Sequence, residues 1–273
     1  MKDYFGKDAS LLKTKKLWLF DMDGTIYNEN TLFDGTLDLL EGIRASGGRS
    51  VFITNNSSRS VLDYVAKVNR MGISAGPEDF FTSSQATILW LKKNAPGAKV
   101  YCQGTRSLVA ELREAGIQVT EEVEPVDVVL IGFDTEMTSE KLRRTCQILT
   151  EQEVVYIGAN PDLVCPVSFG YVPDCGSISI MIKNATKKEP FFIGKPEPTM
   201  IRIVQEKWAC RPEDTVVIGD RLYTDIAAGL NAGVTAVCVL SGEATLEDLS
   251  KADRQPTLTF QNVRVMADLL FPQ

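Results

Sequence analysis

The chain has 273 residues, 44% of them apolar and 24% charged, the balance of an ordinary globular protein with enough apolar surface for one core and a sizeable insertion. Its net charge of −7 opposes a sequence-independent grip on nucleic acid or on an anionic membrane surface. Histidine is absent, which removes Ser-His-Asp and Cys-His hydrolases, zinc-His peptidases and His-based acid-base sites, so any catalysis must run on carboxylates, lysine or hydroxyls.

The first residues mix charges and lack the roughly 7–15-residue apolar run of a secretory signal. No later run approaches the ~20 apolar residues of a membrane span, so a cytoplasmic protein is expected. Leu17 to Phe20 (LWLF) reads as a strand buried on both faces, and it ends abruptly in Asp21-Met22-Asp23-Gly24-Thr25. In open parallel sheets, ligands bind beyond the carboxyl ends of the strands, which would put Asp21 at the mouth of a crevice and Asp23 on the turn. Gly24 would let the backbone turn tightly and bring an N–H to an anion, although Asp-Gly alone is equally an ordinary turn. Thr36 to Ala45 is expected as a helix with Leu37, Leu40 and Ile43 on its inner face. Ser50 to Thr54 (SVFIT) is the next buried strand. Thr54-Asn55-Asn56-Ser57 follow as small donors, suited to phosphate oxygens or to capping a helix at Ser60 to Arg70.

The middle of the chain has its own α/β rhythm. Helices are expected near Ala86 to Lys93, Ser107 to Ala115 and Ser139 to Thr150, with strands at Val100 to Cys102, Val126 to Ile131, Val154 to Ile157 and Ser177 to Ile182. Gly194-Lys195-Pro196-Glu197-Pro198 then places a lysine between a glycine and a proline, ahead of a helix from Thr199 to Trp208. A buried strand at Thr215 to Ile218 ends in Gly219-Asp220, and a helix from Thr224 to Leu230 stops at Asn231-Ala232-Gly233 before a last strand at Thr235 to Leu240. The six cysteines form no CxxC pair and read as small, reduced, mostly buried residues.

Alternating strands and helices of this kind predict an α/β fold: a Rossmann-like parallel sheet core with an inserted smaller α/β domain. The chemistry-bearing residues flank the insertion, so the core is expected at 1–82 and 187–273 and the inserted domain at 83–186. Several carboxylates brought to one crevice would repel one another, and a hard divalent cation resolves this; without histidine or CxxC, Mg²⁺ is the natural candidate. Lys195 would neutralise further negative charge there.

The run DMDGT, TNNS, GKPEP and GDRLYTD, in that order, resembles the four motifs of the haloacid dehalogenase superfamily of phosphohydrolases. The long insertion, with Asn160-Pro161-Asp162 and Cys175-Gly176-Ser177, resembles the NagD-like, 4-nitrophenylphosphatase-type branch, whose insertion is a large α/β cap. The resemblance implies Asp21 as nucleophile, Asp23 as general acid and then base, and Thr54 and Lys195 as phosphate-binding residues. It implies Mg²⁺ held by Asp21, the Asp23 carbonyl and Asp220, with Asp225 a direct or supporting partner, and Gly24 and Asn55 as further donors. The substrate would be a small phosphate monoester of a sugar, nucleotide or polyol. Asn160, Asp162 and Ser177 are candidates for substrate contact, although Asn-Pro-Asp is equally a turn sequence. Pairing of caps in this branch makes a homodimer the assembly the resemblance suggests. The competing readings are a phosphotransferase and a phospho-acceptor or binding protein on the same fold. A Rossmann dehydrogenase and a P-loop kinase lack their glycine-rich motifs here.

Overall fold

The computed structural model describes residues 1–167 and 169–272, except the Pro166 side chain, and divides the chain into two compact units. The first comprises Met1–Thr54, Leu62–Phe81 and the chain from Lys195 on; the second comprises Asn55–Val61 and Thr82–Gly194. Relative to the expected boundaries, Asn55–Val61, Thr82 and residues 187–194 group with the second unit. For the first of these stretches the cause is local: Ser57 Oγ accepts from the Phe133 N–H at 2.9 Å, and Asn55 is bonded to Asn160 and Asp162.

The first unit is built on a six-stranded sheet in the order Leu258–Phe260, Thr235–Val239, Thr215–Gly219, Leu17–Phe20, Arg49–Thr54, Phe80–Thr82. The pairings from Leu258–Phe260 through Arg49–Thr54 are all parallel. Leu17–Phe20 and Thr215–Gly219 are buried along their whole length, as strands covered on both faces must be, which explains their lack of polar alternation. Chain order reverses at Leu17–Phe20, whose neighbours come from opposite ends of the sequence. Parallel pairing therefore brings Asp21, Thr54 and Asp220 to one edge of the sheet, at its topological switch point.

The second unit has a five-stranded sheet in the order Phe191–Phe192, Val155–Gly158, Val128–Ile131, Lys99–Gln103, Gln118–Thr120, again with every pairing parallel. The molecule is thus a mixed α/β protein, with a parallel-sheet core and an additional domain, as expected.

Local differences from expectation are instructive. Ser177 to Ile182 is no strand but part of the Cys175–Thr186 helix. Its SISIMI sequence alternates with a period of two, yet Asp174 caps the helix, accepting from the Cys175 N–H, and the buried Ile178 and Ile182 lie four residues apart. In the Thr36–Ala45 helix, Leu39 and Ile43 face inward while Leu37 is 47% exposed. The helix expected at Thr224 begins as a π-helical turn, Leu222–Ile226, continued by Ala227–Ala232 and ended by left-handed Gly233. Among the described residues no helix is long and apolar enough to cross a membrane.

Leu19, fully buried in the central strand, should lose about 2–5 kcal/mol of stability on Leu19→Ala. Leu62, 68% exposed, should lose less than about 0.5 kcal/mol on Leu62→Ala. Urea unfolding of the two variants measures this contrast, and equal losses would contradict the assigned core.

Candidate active site

The site is assembled within the first unit, around a lysine that has left solvent. The Lys195 side chain is only 2% exposed, and its ammonium donates to Asp21 Oδ1 and to Asp225 Oδ1, both at 2.6 Å, and to the Ile53 carbonyl at 3.3 Å. Burial opposes the charged ammonium, but Asp21 and Asp225 outweigh it and hold the Lys195 pKa above its ordinary value. The segment carrying the lysine is itself tied down, since Asn231 Nδ2 donates to the Pro196 carbonyl at 3.0 Å.

Asp21 continues the ladder of its strand, donating its N–H to the Ile218 carbonyl at 2.8 Å. Burial, and next the charge of Asp225, push its carboxyl well above the usual carboxylate range, while Lys195 pulls it back. Asp225 is buried in the π-helical turn, where Oδ2 accepts the Arg221 N–H at 3.2 Å. Asp220 is also buried; its Oδ2 accepts the Glu243 N–H at 2.8 Å and its Oδ1 faces the Thr25 hydroxyl at 3.4 Å. Its carboxyl is pushed up to about 6 by burial first and by Asp225 second.

Gly24 has φ +83°, and a Cβ there would lie 2.4 Å from Asp220 Oδ2; one on Gly242 would lie 2.0 Å from the same oxygen. Glycine is required at both because the two backbones flank that carboxylate at a distance no side chain permits. Ser241 Oγ donates to the Gly24 carbonyl at 2.8 Å and ties the two loops together. Sequence reasoning overlooked this Ser241-Gly242-Glu243 segment. The available signal was its position at the end of another buried strand, Thr235–Val239.

Asp23 is placed differently. Its side chain is 49% exposed, Tyr27 Oη donates to Oδ2 at 3.2 Å, and Lys67 Nζ stands 3.8 Å from Oδ1 and 3.9 Å from the centre of the Tyr27 ring. Burial, and then the Asp23 charge, push the Tyr27 phenol up, so it stays a donor at any working pH. Neither Tyr27 nor Lys67 was singled out from sequence; their partnership needs a helix, Val61–Arg70, to pass the turn. Thr54 is buried at the end of its strand.

Of the remaining candidates, Asn55, Asn160, Asp162 and Ser177 belong to the second unit. Asn55, Asn160 and Asp162 are buried and bonded to one another. The Ser177 hydroxyl donates to the Leu163 carbonyl at 2.5 Å. These contacts are internal to the second unit.

Carboxylate oxygens of Asp21, Asp220 and Asp225 lie within 4.8 Å of one another. With all three ionised, one ammonium leaves an excess of two negative charges, and the raised Asp21 and Asp220 pKa values are the physical expression of that excess. An all-oxygen donor set of this charge suits a hard divalent ion such as Mg²⁺. The Asp23 side chain lies outside this trio, so a metal-binding part for Asp23 rests on its backbone carbonyl.

Two family models match the chain: a haloacid dehalogenase-like hydrolase over residues 18–118 and a HAD-hydrolase-like segment over residues 192–266. An acid sugar phosphatase of Staphylococcus haemolyticus is 34% identical over 254 residues, covering 93% of this chain and 96% of its own. Among solved structures, a 4-nitrophenylphosphatase from Thermotoga maritima superposes with TM-score 0.91 at 36% identity, covering 95% of this chain and 99% of that one. A glycerol phosphate phosphatase from Mycobacterium tuberculosis in complex with magnesium does so with TM-score 0.88 at 28% identity, covering 97% and 80%.

The crowded carboxylates set a pH signature. An acid whose pKa is raised on folding binds more protons folded than unfolded, so Asp220 costs stability as pH rises from its ordinary 3.8 through about 6. A cation that relieves the crowding should stabilise the protein most above that range; at a hundredfold excess over Kd the gain is about 2.7 kcal/mol. Thermal unfolding with and without Mg²⁺ should therefore show a larger rise in Tm near pH 7.5 than near pH 5. Asp220→Asn should abolish the rise, and an undiminished one would remove Asp220 from the metal site.

Proposed function

The chain belongs to the haloacid dehalogenase-like hydrolases, in the branch of NagD and the 4-nitrophenylphosphatases, and from this premise we propose that it is a Mg²⁺-dependent phosphatase of small sugar or polyol phosphates acting through a phospho-aspartate on Asp21. That it is a phosphoric monoester hydrolase rests on its relatives. The observation that carries the mechanism is the buried Lys195 ammonium, 2.6 Å from both Asp21 and Asp225 beside a third carboxylate.

In the proposed reaction Asp21 Oδ attacks phosphorus in line with the ester oxygen, the P–O ester bond breaks, and Asp23 gives its proton to the departing alkoxide. Asp23 then takes a proton from water as that water attacks phosphorus of the acyl phosphate, which releases inorganic phosphate and restores Asp21. Thr54 and Lys195 bind the phosphate oxygens, and Lys195 offsets repulsion between an anionic nucleophile and an anionic ester. The Gly24 N–H is already given to the Tyr27 carbonyl at 2.9 Å and the Thr25 and Ile26 N–H groups to the Met22 carbonyl, so Gly24 serves the site by the close approach of its backbone to Asp220 and not as a phosphate donor. The Asn55 amide is committed to Asp162 and is likewise left out. Asp21, Asp220 and the Asp23 carbonyl would hold Mg²⁺, with Asp225 a direct or supporting carboxylate beside them. Bound there, Mg²⁺ supplies charge neutralisation on the transferring phosphoryl group.

The acid sugar phosphatase and glycerol phosphate phosphatase relatives support sugar and polyol phosphates as the substrate class. The six free thiols suit a reducing compartment, and the cytoplasm is the proposed location.

Asp21→Asn should lower kcat for an aryl or polyol phosphate by at least about 10³-fold, and Asp23→Asn by about 10²–10⁴-fold. With a good aryl leaving group, Asp23→Asn should accumulate phosphate on the peptide bearing Asp21, detectable by mass spectrometry after acid quench. Inorganic phosphate should appear in step with loss of ester. Full turnover by Asp21→Asn would overturn the mechanism, and phosphate delivered to an alcohol instead of water would favour the phosphotransferase reading.

A further inference from the structure

Asn160 and Asp162 have buried side chains that the reaction above does not use, and both bond to one neighbour, Asn55. Asn160 Nδ2 donates to the Asn55 carbonyl at 2.8 Å, and Asn55 Nδ2 donates to Asp162 Oδ1 at 3.0 Å. Asn160 Oδ1 accepts the Asp162 N–H at 3.0 Å, closing the Asn-Pro-Asp turn on itself. The Ser83 hydroxyl donates to the same Asn55 carbonyl at 2.6 Å. All four residues are at most 6% exposed, so these bonds are made out of water, where they hold geometry most firmly.

The same turn meets the chain at a second place. The Gly194 N–H donates to the Ala159 carbonyl at 2.9 Å. A Cβ on Gly194 would fall 2.5 Å from Asn55 Oδ1, 2.8 Å from the Ala159 carbonyl oxygen and 3.2 Å from Asn160 Cβ. Ala159 to Asp162 therefore packs against the residue that follows Thr54 and the residue that precedes Lys195, two positions 139 apart in the chain by the difference of 194 and 55.

We propose that Ala159-Asn160-Pro161-Asp162 is a clamp that pins Asn55 and Gly194 side by side and thereby positions Thr54 and Lys195 for phosphate binding, Asn160 and Asp162 being positioning residues rather than substrate contacts. The inference rests on the phosphatase reading, since it is for phosphate that Thr54 and Lys195 must be spaced. It explains why the turn carries two hydrogen-bonding side chains flanking a proline: the proline fixes φ, and the flanking groups reach one partner from two directions. It also explains why Gly194 has no side chain.

The test is steady-state kinetics of the full chain with Mg²⁺ and an aryl phosphate. Asp162→Ala and Gly194→Ala should each lower kcat about 10–100-fold with KM changed less than about threefold, because misplacement by an ångström is felt in the transition state. Asp162→Asn keeps an acceptor for Asn55 Nδ2 and should restore kcat to within about threefold of the parent. Asn160→Asp, of the same shape, removes the donor without opening a cavity and should repeat the loss. Combining Asp162→Ala with Thr54→Ala should cost less than the product of the two single losses, since one of the two residues the clamp positions is already gone. An active parent with kcat unchanged in Asp162→Ala and Asn160→Asp, or losses that multiply with that of Thr54→Ala, overturns the clamp alone. A parent inert toward every phosphate monoester overturns the phosphatase reading and the clamp with it.

Discussion

A lysine ammonium held out of water between two carboxylates is the constraint on which the rest of this structure depends. Removing an ammonium and its partners from solvent costs several kcal/mol per ion, and attraction inside the protein recovers that cost only when geometry is close. At 2.6 Å on both sides, Lys195 meets this condition, and its pKa stays raised despite burial. A core selected for stability alone would hold apolar groups here. The proposed phosphate chemistry would account for the arrangement, since it needs a fixed positive charge beside an anionic nucleophile before the anionic substrate arrives.

That constraint reaches outward through the sheet. Asp21, the Ile53 carbonyl and Asp220 belong to three adjacent parallel strands or their ends, in register through the pairs Phe20↔Ile218 and Phe20↔Phe52. Strand pairing alone therefore brings the acids to one edge, and the loops need only supply donors. They do so economically in space. Gly24 and Gly242 leave room on both flanks of the Asp220 carboxylate, and the Glu243 N–H is spent on one of its oxygens. Charge is thus confined by backbone, whose position is fixed by the fold, more than by flexible side chains.

Much of this was legible in the sequence because a buried parallel strand writes itself as an apolar run and its end as an abrupt change of chemistry. Phe20-Asp21, Thr54-Asn55 and Gly219-Asp220 each show that change. Ser241-Gly242-Glu243 shows it weakly, having no acid directly after the strand, and was passed over. The Ser177 to Ile182 segment reads as a strand from sequence because period-two alternation and isoleucine are local features, whereas the packing that buries Ile178 and Ile182 is not. Asn160 and Asp162 were legible as polar residues of interest, but their bonds to Asn55 were not. Their partner Asn55 lies more than a hundred residues away, and nothing in a turn sequence says what its side chains will bond.

Asp21 and Asp23 are two residues apart and occupy opposite environments, and the proposed division of labour follows from that difference. Asp21 is paired with an ammonium, pushed toward protonation by burial and drawn back by Lys195, so its charge is set by fixed neighbours. A nucleophile benefits from this, since stripping water from it leaves the attacking oxygen ready. Asp23 remains half exposed, with a phenol O–H on one oxygen and Lys67 near the other. A group that first donates a proton and then collects one from water needs contact with solvent between the two steps, and a neighbour that steadies its carboxyl without neutralising it. Tyr27 supplies that steadiness because its own proton is held firmly, and Lys67 over the ring fixes the tyrosine in turn. Exchanging the two environments would leave the proposed nucleophile hydrated and the proposed acid-base group cut off from its water, so on this mechanism the short turn between Asp21 and Asp23 separates two chemical tasks that one setting could not serve.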